Sequence, residues 1–191
     1  MSLREYVSES LKKRNDTIAF MFGRFNPPTK GHIENIDAMM KWCKDHNADN
    51  LIVPTKTQKP KTDPLSFAEK AKFLRKSTED SVNIDSWNMN NIFKLLDKFT
   101  TLGYKKVVLF VGADRVKEFQ ELFAKYVVAP EYTFRIEVID SGKRTKGVSG
   151  SDQRHFASEN DFESFSKNCP ELLSIEDRRK LFDLVRQRLG K

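Results

Sequence analysis

The sequence predicts an α/β fold, a doubly wound parallel five-stranded sheet followed by a C-terminal helical extension. Three observations carry this. Apolar runs of strand length alternate with segments of helical period from Thr17 to Asp140. The run VVLFV at 107–111 is continuously apolar, as a strand buried on both faces is. After Asp140 the alternation ends and only helical patterns remain.

The elements follow in order. SLREYVSESLKKRND places Leu3, Val7 and Leu11 four residues apart, one stripe of a short amphipathic helix assigned to residues 1–16. TIAFMFG is the first strand, and GHIENIDAMMKWCKDH sets Ile33, Ile36, Met40 and Cys43 on one helical face. LIVP is the second strand, trailed by the polar segment TKTQKPKTDP. SFAEKAKFLRKSTED is helical, with Ser66 as N-cap and Glu69 three residues on, a capping-box pattern. VNID is expected as a third strand, and NNIFKLLDKFTTLG as a helix that stops at Gly103. KVVLFVG, a helix over ADRVKEFQELFAKY, and TFRIEVID complete the sheet. SGKRTKGVSGS is a loop, and two helical segments then flank Pro170. The α/β domain is placed at 17–165, and residues 166–191 extend the same domain.

A chain of 191 residues buries a sizeable core without staples. Two cysteines, Cys43 and Cys169, have no metal-like spacing and suit a reducing cytoplasm. No apolar run reaches the length of a membrane span, and the N-terminus lacks the apolar core of a secretory signal. A net charge of +7 attracts phosphates, whether in nucleic acid or in small nucleotides. It equally serves solubility. His46, His155 and Trp42 have no motif partners and default to surface or core.

GRFNPPTKGH, residues 23–32, joins the first strand to the first helix, at the carboxyl end of a strand where such sheets bind ligands. Gly23 and Gly31 allow backbone to approach a ligand closely. Pro27 and Pro28 pre-shape the loop. Thr29 caps a helix whose N-terminal amides and dipole favour an anion, and His32 in its first turn points toward that anion. A tight strand–helix turn with a capping histidine would use some of the same residues. Neither a Walker A loop nor a G-x-G-x-x-G fingerprint is present.

The stretch resembles the signature of the (H/T)xGH nucleotidyltransferases, G-x-F-x-P-x-[HT]-x-G-H, at Gly23, Phe25, Pro27, Thr29, Gly31 and His32. Thr29 stands where many members have a first histidine, as it does in phosphopantetheine-type members. A second signature, [IV]-S-x-[ST]-x-x-R, is matched by VSGSDQR at Val148, Ser149, Ser151 and Arg154. The resemblance covers roughly residues 17–165 and implies a Rossmann-like nucleotidyltransferase domain. It implies that His32, Thr29 and Arg154 are catalytic, and that Gly23, Arg24, Phe25, Asn26, Gly31, Ser149 and Ser151 contact the nucleotide. VGADRV resembles the family's G-[AS]-D segment, making Asp114 either a nucleotide contact or a helix cap. Lys56, Lys59 and Lys61 lie where related enzymes keep a basic loop, and otherwise are solvated surface. Trp87 resembles a tryptophan of nicotinamide mononucleotide adenylyltransferases and would stack on the acceptor ring, or else is a core aromatic.

Nucleotidyl transfer to a phosphate monoester needs no base, because the acceptor is already an anion. Catalysis then consists of positioning and charge stabilisation. The expectation is an enzyme transferring AMP from ATP to a phosphorylated small acceptor, nicotinamide mononucleotide first. Mg²⁺ would be held by the phosphates, with no protein metal site. Alternatives are another acceptor or CTP as donor, as in phosphopantetheine, FMN or cytidylyl transfer. A nucleic-acid-binding protein, or a packaged bacteriophage protein that has kept the fold without the chemistry, is the contrasting class. The segment SLREYVSESLKKR resembles leaders of some bacteriophage internal proteins and prompts the latter. A homo-oligomer is left open, and no membrane association is expected.

Overall fold

The computed structural model describes residues 13–85, 87, 91–142 and 148–191. Residues 13–16 are not helical, and the rest of the helix expected at 1–16 lies outside the described residues. Four strands, β1 (Thr17–Gly23), β2 (Asp49–Pro54), β3 (Lys106–Val111) and β4 (Arg135–Asp140), form one sheet in the order β2-β1-β3-β4. All three pairings are parallel.

The expected fifth strand is a correction. VNID does not become a strand: Ile84 makes a single parallel bridge to Ile52 on the outer edge of β2. Its two rungs are Ile52 N–H to Asn83 O and Asp85 N–H to Ile52 O, each 2.8 Å. On one side the ladder is replaced by side-chain bonds, since Asn83 N–H donates to Asn50 Oδ1 and Asn83 Nδ2 to Asn50 O. On the other, the Trp87 amide donates to Asp85 Oδ1 at 2.7 Å and turns the chain away. Polar side chains able to bond nearby backbone compete with a ladder in this way.

Helices α1 (Lys30–His46) and α2 (Phe67–Ser77) cover one face of the sheet; α3 (Ile92–Thr101) and α4 (Val116–Tyr126) cover the other. The split follows strand alternation: Ala19 and Met21 pack with Ile36, Met39 and Leu74, whereas Ile18 and Phe20 pack with Leu96, Phe99 and Phe123. Helices α5 (Gly150–Ser158), α6 (Phe162–Lys167) and α7 (Ile175–Arg188) share a third cluster, Ala157, Phe165, Leu181 and Phe182, into which Leu65 and Phe73 also reach. Asn160, with φ of 60°, breaks the helical pattern between α5 and α6. Among the described residues no helix is long and apolar enough to cross a membrane.

The chain leaves β1 toward β2 and leaves β3 toward β4, in opposite directions along the sheet. Such a divergence opens a crevice beyond the carboxyl ends of the two central strands.

Candidate active site

That crevice is a cleft of about 680 Å³, within the range that holds a small ligand. Its floor is the end of β1 and β3, at Phe22, Gly23, Val111 and Gly112. The N-termini of α1 and α5 open onto it through Gly31, His32, Ser149 and Gly150, so two sets of helix N–H groups face one space.

The loop between β1 and α1 is built by its own side chains. Phe25 has φ of 47°, in the left-handed region that bulky residues rarely occupy, and is only 2% exposed. Its ring folds back over Gly23, where an added Cβ would lie 3.2 Å from Phe25 Cε2. The ring also supports His32, the centroids 5.0 Å apart and the planes tilted by 56°. Thr29 caps α1: its Oγ1 accepts from the His32 amide at 3.3 Å, and its own amide donates to His32 Nδ1 at 3.0 Å. The Thr29 hydroxyl lies 2.9 Å from the same nitrogen. Because an amide N–H donates to Nδ1, Nδ1 is an acceptor, and the neutral ring carries its proton on Nε2.

Across the cleft, Ser149 caps α5. Its hydroxyl donates to Asp152 Oδ2 at 2.7 Å and accepts from the Asp152 amide at 3.1 Å. The Ser149 bonds hold the Asp152 carboxyl below its ordinary range. Arg154, one turn into α5, donates through Nη2 to Ser151 Oγ at 3.0 Å and through Nη1 to the Asn26 carbonyl at 2.6 Å. Gly150 permits that approach, since a Cβ there would stand 3.2 Å from the same carbonyl. Burial pulls the Arg154 pKa down, the Arg24 charge adds to the effect, and Asp63 opposes it. Two guanidinium groups thus share one end of the cleft, a natural anion site.

The structure brings together the residues expected at the nucleotide. The loop positions 23–26, 29, 31 and 32, with Asp114, Ser149, Ser151 and Arg154, all line the cleft. Asp114 sits in a short 3-10 turn, Ala113–Arg115, directly after β3. Lys56, Lys59 and Lys61 are exposed on the loop after β2 and do not line the cleft. Trp87 does not line it either. It packs half-buried against the core beneath α3, with Lys98 Nζ 5.5 Å from its ring centroid.

Several neighbours of the cleft were not foreseen. Glu34 and Asn35 on α1, and Arg115 and Glu118 beside β3, line it as well. Lys70 is fully buried next to the arginine end. Its period was readable: Lys70, Phe73, Leu74 and Ser77 follow the i, i+3, i+4, i+7 rule and all are buried. Both cysteines are buried thiols, Cys43 pushed up to about 12 and Cys169 to about 11 mainly by desolvation, so neither is a poised nucleophile.

The cytidylyltransferase-like family model matches residues 20–156, which spans both signature segments. No curated protein is significantly similar in sequence. Solved structures share the fold, among them these two. Thermotoga maritima TmcAL bound with alpha-thio ATP aligns with 91% of this chain at 10% identity and a TM-score of 0.53, and the match spans 56% of that protein. Plasmodium falciparum nicotinic acid mononucleotide adenylyltransferase, complexed with APC, aligns with 89% of this chain at 15% identity and a TM-score of 0.56, and 98% of that protein is covered.

Proposed function

For a chain that belongs to the cytidylyltransferase-like nucleotidyltransferase family, we propose adenylyl transfer from ATP to a small phosphorylated acceptor, nicotinamide mononucleotide in the first place, with release of pyrophosphate. One observation carries this reading. His32 is held through Nδ1 by the Thr29 amide, which places its ring proton on Nε2, in a cleft that also receives two helix N-termini and Arg154. The α-phosphate of the donor would lie against His32, which donates from Nε2 as charge builds in the transition state. The outer phosphates would run toward Arg154, Arg24 and the amides of α5, where forked cations and helix dipoles favour them. The acceptor phosphate attacks in line and needs no base, so positioning and charge stabilisation do the work. The alpha-thio ATP in one fold neighbour and the mononucleotide adenylyltransferase activity named for the other support adenylyl rather than cytidylyl transfer.

Mg²⁺ would be carried by the phosphates and not by the protein, since Arg24 and Arg154 at that end of the cleft repel a bare cation. When bound it would neutralise phosphate charge. Trp87, Lys56, Lys59 and Lys61 would meet the acceptor only where it extends beyond the cleft lining.

The test is pyrophosphate release with ATP or CTP against nicotinamide mononucleotide, nicotinic acid mononucleotide, phosphopantetheine and FMN. Turnover with ATP and nicotinamide mononucleotide above every other pairing is the expected result. Preference for CTP, or no release with any acceptor, overturns the assignment.

A further inference from the structure

A buried ammonium in the helix beside the cleft has no part in the chemistry described so far. Lys70 is 0% exposed, yet it carries three donors that all require partners. They are spent on the Thr55 carbonyl at 2.8 Å, the Thr57 carbonyl at 2.7 Å and Asp63 Oδ1 at 3.3 Å. Asp63 is itself 1% exposed, its Oδ2 has no hydrogen bond among the described residues, and Lys70 is the cation bonded to its Oδ1. The same Oδ1 accepts from Asn26 Nδ2. Asn26 is then clamped by Leu65, whose amide donates to Asn26 Oδ1 and whose carbonyl accepts from Nδ2, both at 3.0 Å. The far end of Asn26 is its own carbonyl, which receives Arg154 Nη1.

We propose that Lys70 is a positioning residue of the phosphate site, holding Asp63 and Asn26 so that the Asn26 carbonyl fixes Arg154; this rests on the nucleotide reading above. The linkage has a purpose that stability does not supply. An apolar pair in place of both Lys70 and Asp63 would pack here at no greater cost than the buried ion pair. Arg154, however, stands beside Arg24, and like charges move apart unless one is restrained. Ser151 restrains Arg154 from within α5, and the Asn26 carbonyl ties it to the loop after β1, its place set by the chain of bonds that begins at Lys70. Three segments far apart in sequence, the loop after β2, the loop after β1, and α5, are thereby locked into one arrangement before any ligand arrives.

The test is a double-mutant cycle read by calorimetric binding of inorganic tripolyphosphate, which needs no acceptor and no turnover. Lys70→Met should weaken binding about tenfold in the wild-type background and by less than about twofold in an Arg154→Ala background, because coupled residues are non-additive. The loss of melting temperature should be the same in both backgrounds. Equal weakening in the two backgrounds would make Lys70 a purely structural residue and overturn the inference. If Lys70→Met does not fold, Asp63→Asn keeps the shape, removes the charge and enters the same cycle with the same expectation. Absence of tripolyphosphate binding by the wild-type protein overturns the proposed function along with the inference, whereas binding with an additive cycle overturns the inference alone.

Discussion

In the proposed reaction, the placement of one proton on His32 decides the chemistry. The Thr29 amide donates to Nδ1, so the neutral ring carries its proton on Nε2, the nitrogen that would donate to a phosphate oxygen. Removing it should leave the fold standing, since the ring is only half-buried and Phe25 keeps its place over Gly23. His32→Ala is therefore expected to melt close to the wild type yet lose about 10²–10³-fold in kcat, the cost typical of one lost transition-state donor. Steady-state pyrophosphate release with the preferred acceptor checks this, and near wild-type turnover would remove His32 from the mechanism. GRFNPPTKGH was legible because its information is local: glycine, proline and cap chemistry act within ten residues. The clamp on Asn26 and the ion pair of Lys70 were not, although both residues sit in readable segments. The partners that give them meaning are Asp63 and Leu65, 37 and 39 residues from Asn26, and the Thr55 carbonyl, 15 residues from Lys70. A lysine within an amphipathic helix reads as surface until something is found to neutralise it.

Among the elements, α5 shows how a helix can be a cap and a binding surface at once. Ser149 looked like a phosphate ligand in sequence, and its hydroxyl is engaged with Asp152 at the head of the helix. What α5 contributes to the cleft are its amides, Ser151 and Arg154, brought close by Gly150. Gly150→Ala separates these effects. Alanine favours a helix interior by roughly 0.5–1 kcal/mol over glycine and less at this first helical position, while its Cβ would stand 3.2 Å from the Asn26 carbonyl and push α5 off the loop by a few tenths of an ångström. The expected outcome is a melting temperature unchanged or slightly raised together with severalfold weaker nucleotide binding. A variant that melts lower while binding ATP normally would contradict this. The sheet carries the complementary lesson. Continuous apolar strands such as VVLFV were unmistakable, whereas VNID has the length and composition of a strand but loses its ladder to the side chains of Asn50 and Asp85. No periodicity in four residues reports that competition.

For the whole molecule, the parallel sheet separates function from foundation along its strands. The cleft lies at the carboxyl ends, and a second polar cluster ties the opposite ends together. There Asp49, 7% exposed, accepts from the amides of Arg14 and Asn15 at 2.9 and 3.3 Å, from Asn15 Nδ2 at 2.9 Å, and from the Tyr104 hydroxyl at 2.8 Å. Tyr104 is wholly buried, and burial first, then the bond and charge of Asp49, push its phenol far above the ordinary range, so it remains a neutral donor. The cluster joins the segment before β1, the start of β2 and the turn into β3, three pieces that only the folded sheet assembles. Tyr104→Phe keeps the ring in the core and takes one donor from a buried carboxylate, which costs about 1–3 kcal/mol. In a domain of this size that lowers the melting temperature by several degrees, at roughly 2–4 °C per kcal/mol. The cleft is about 20 Å away along strands of this length, so turnover and ATP affinity at a temperature where both proteins are folded should match the wild type. A thermal melt beside a kinetic assay at 25 °C decides it: a change in kcat as large as the loss of stability would mean that the two ends of the sheet are coupled rather than separate.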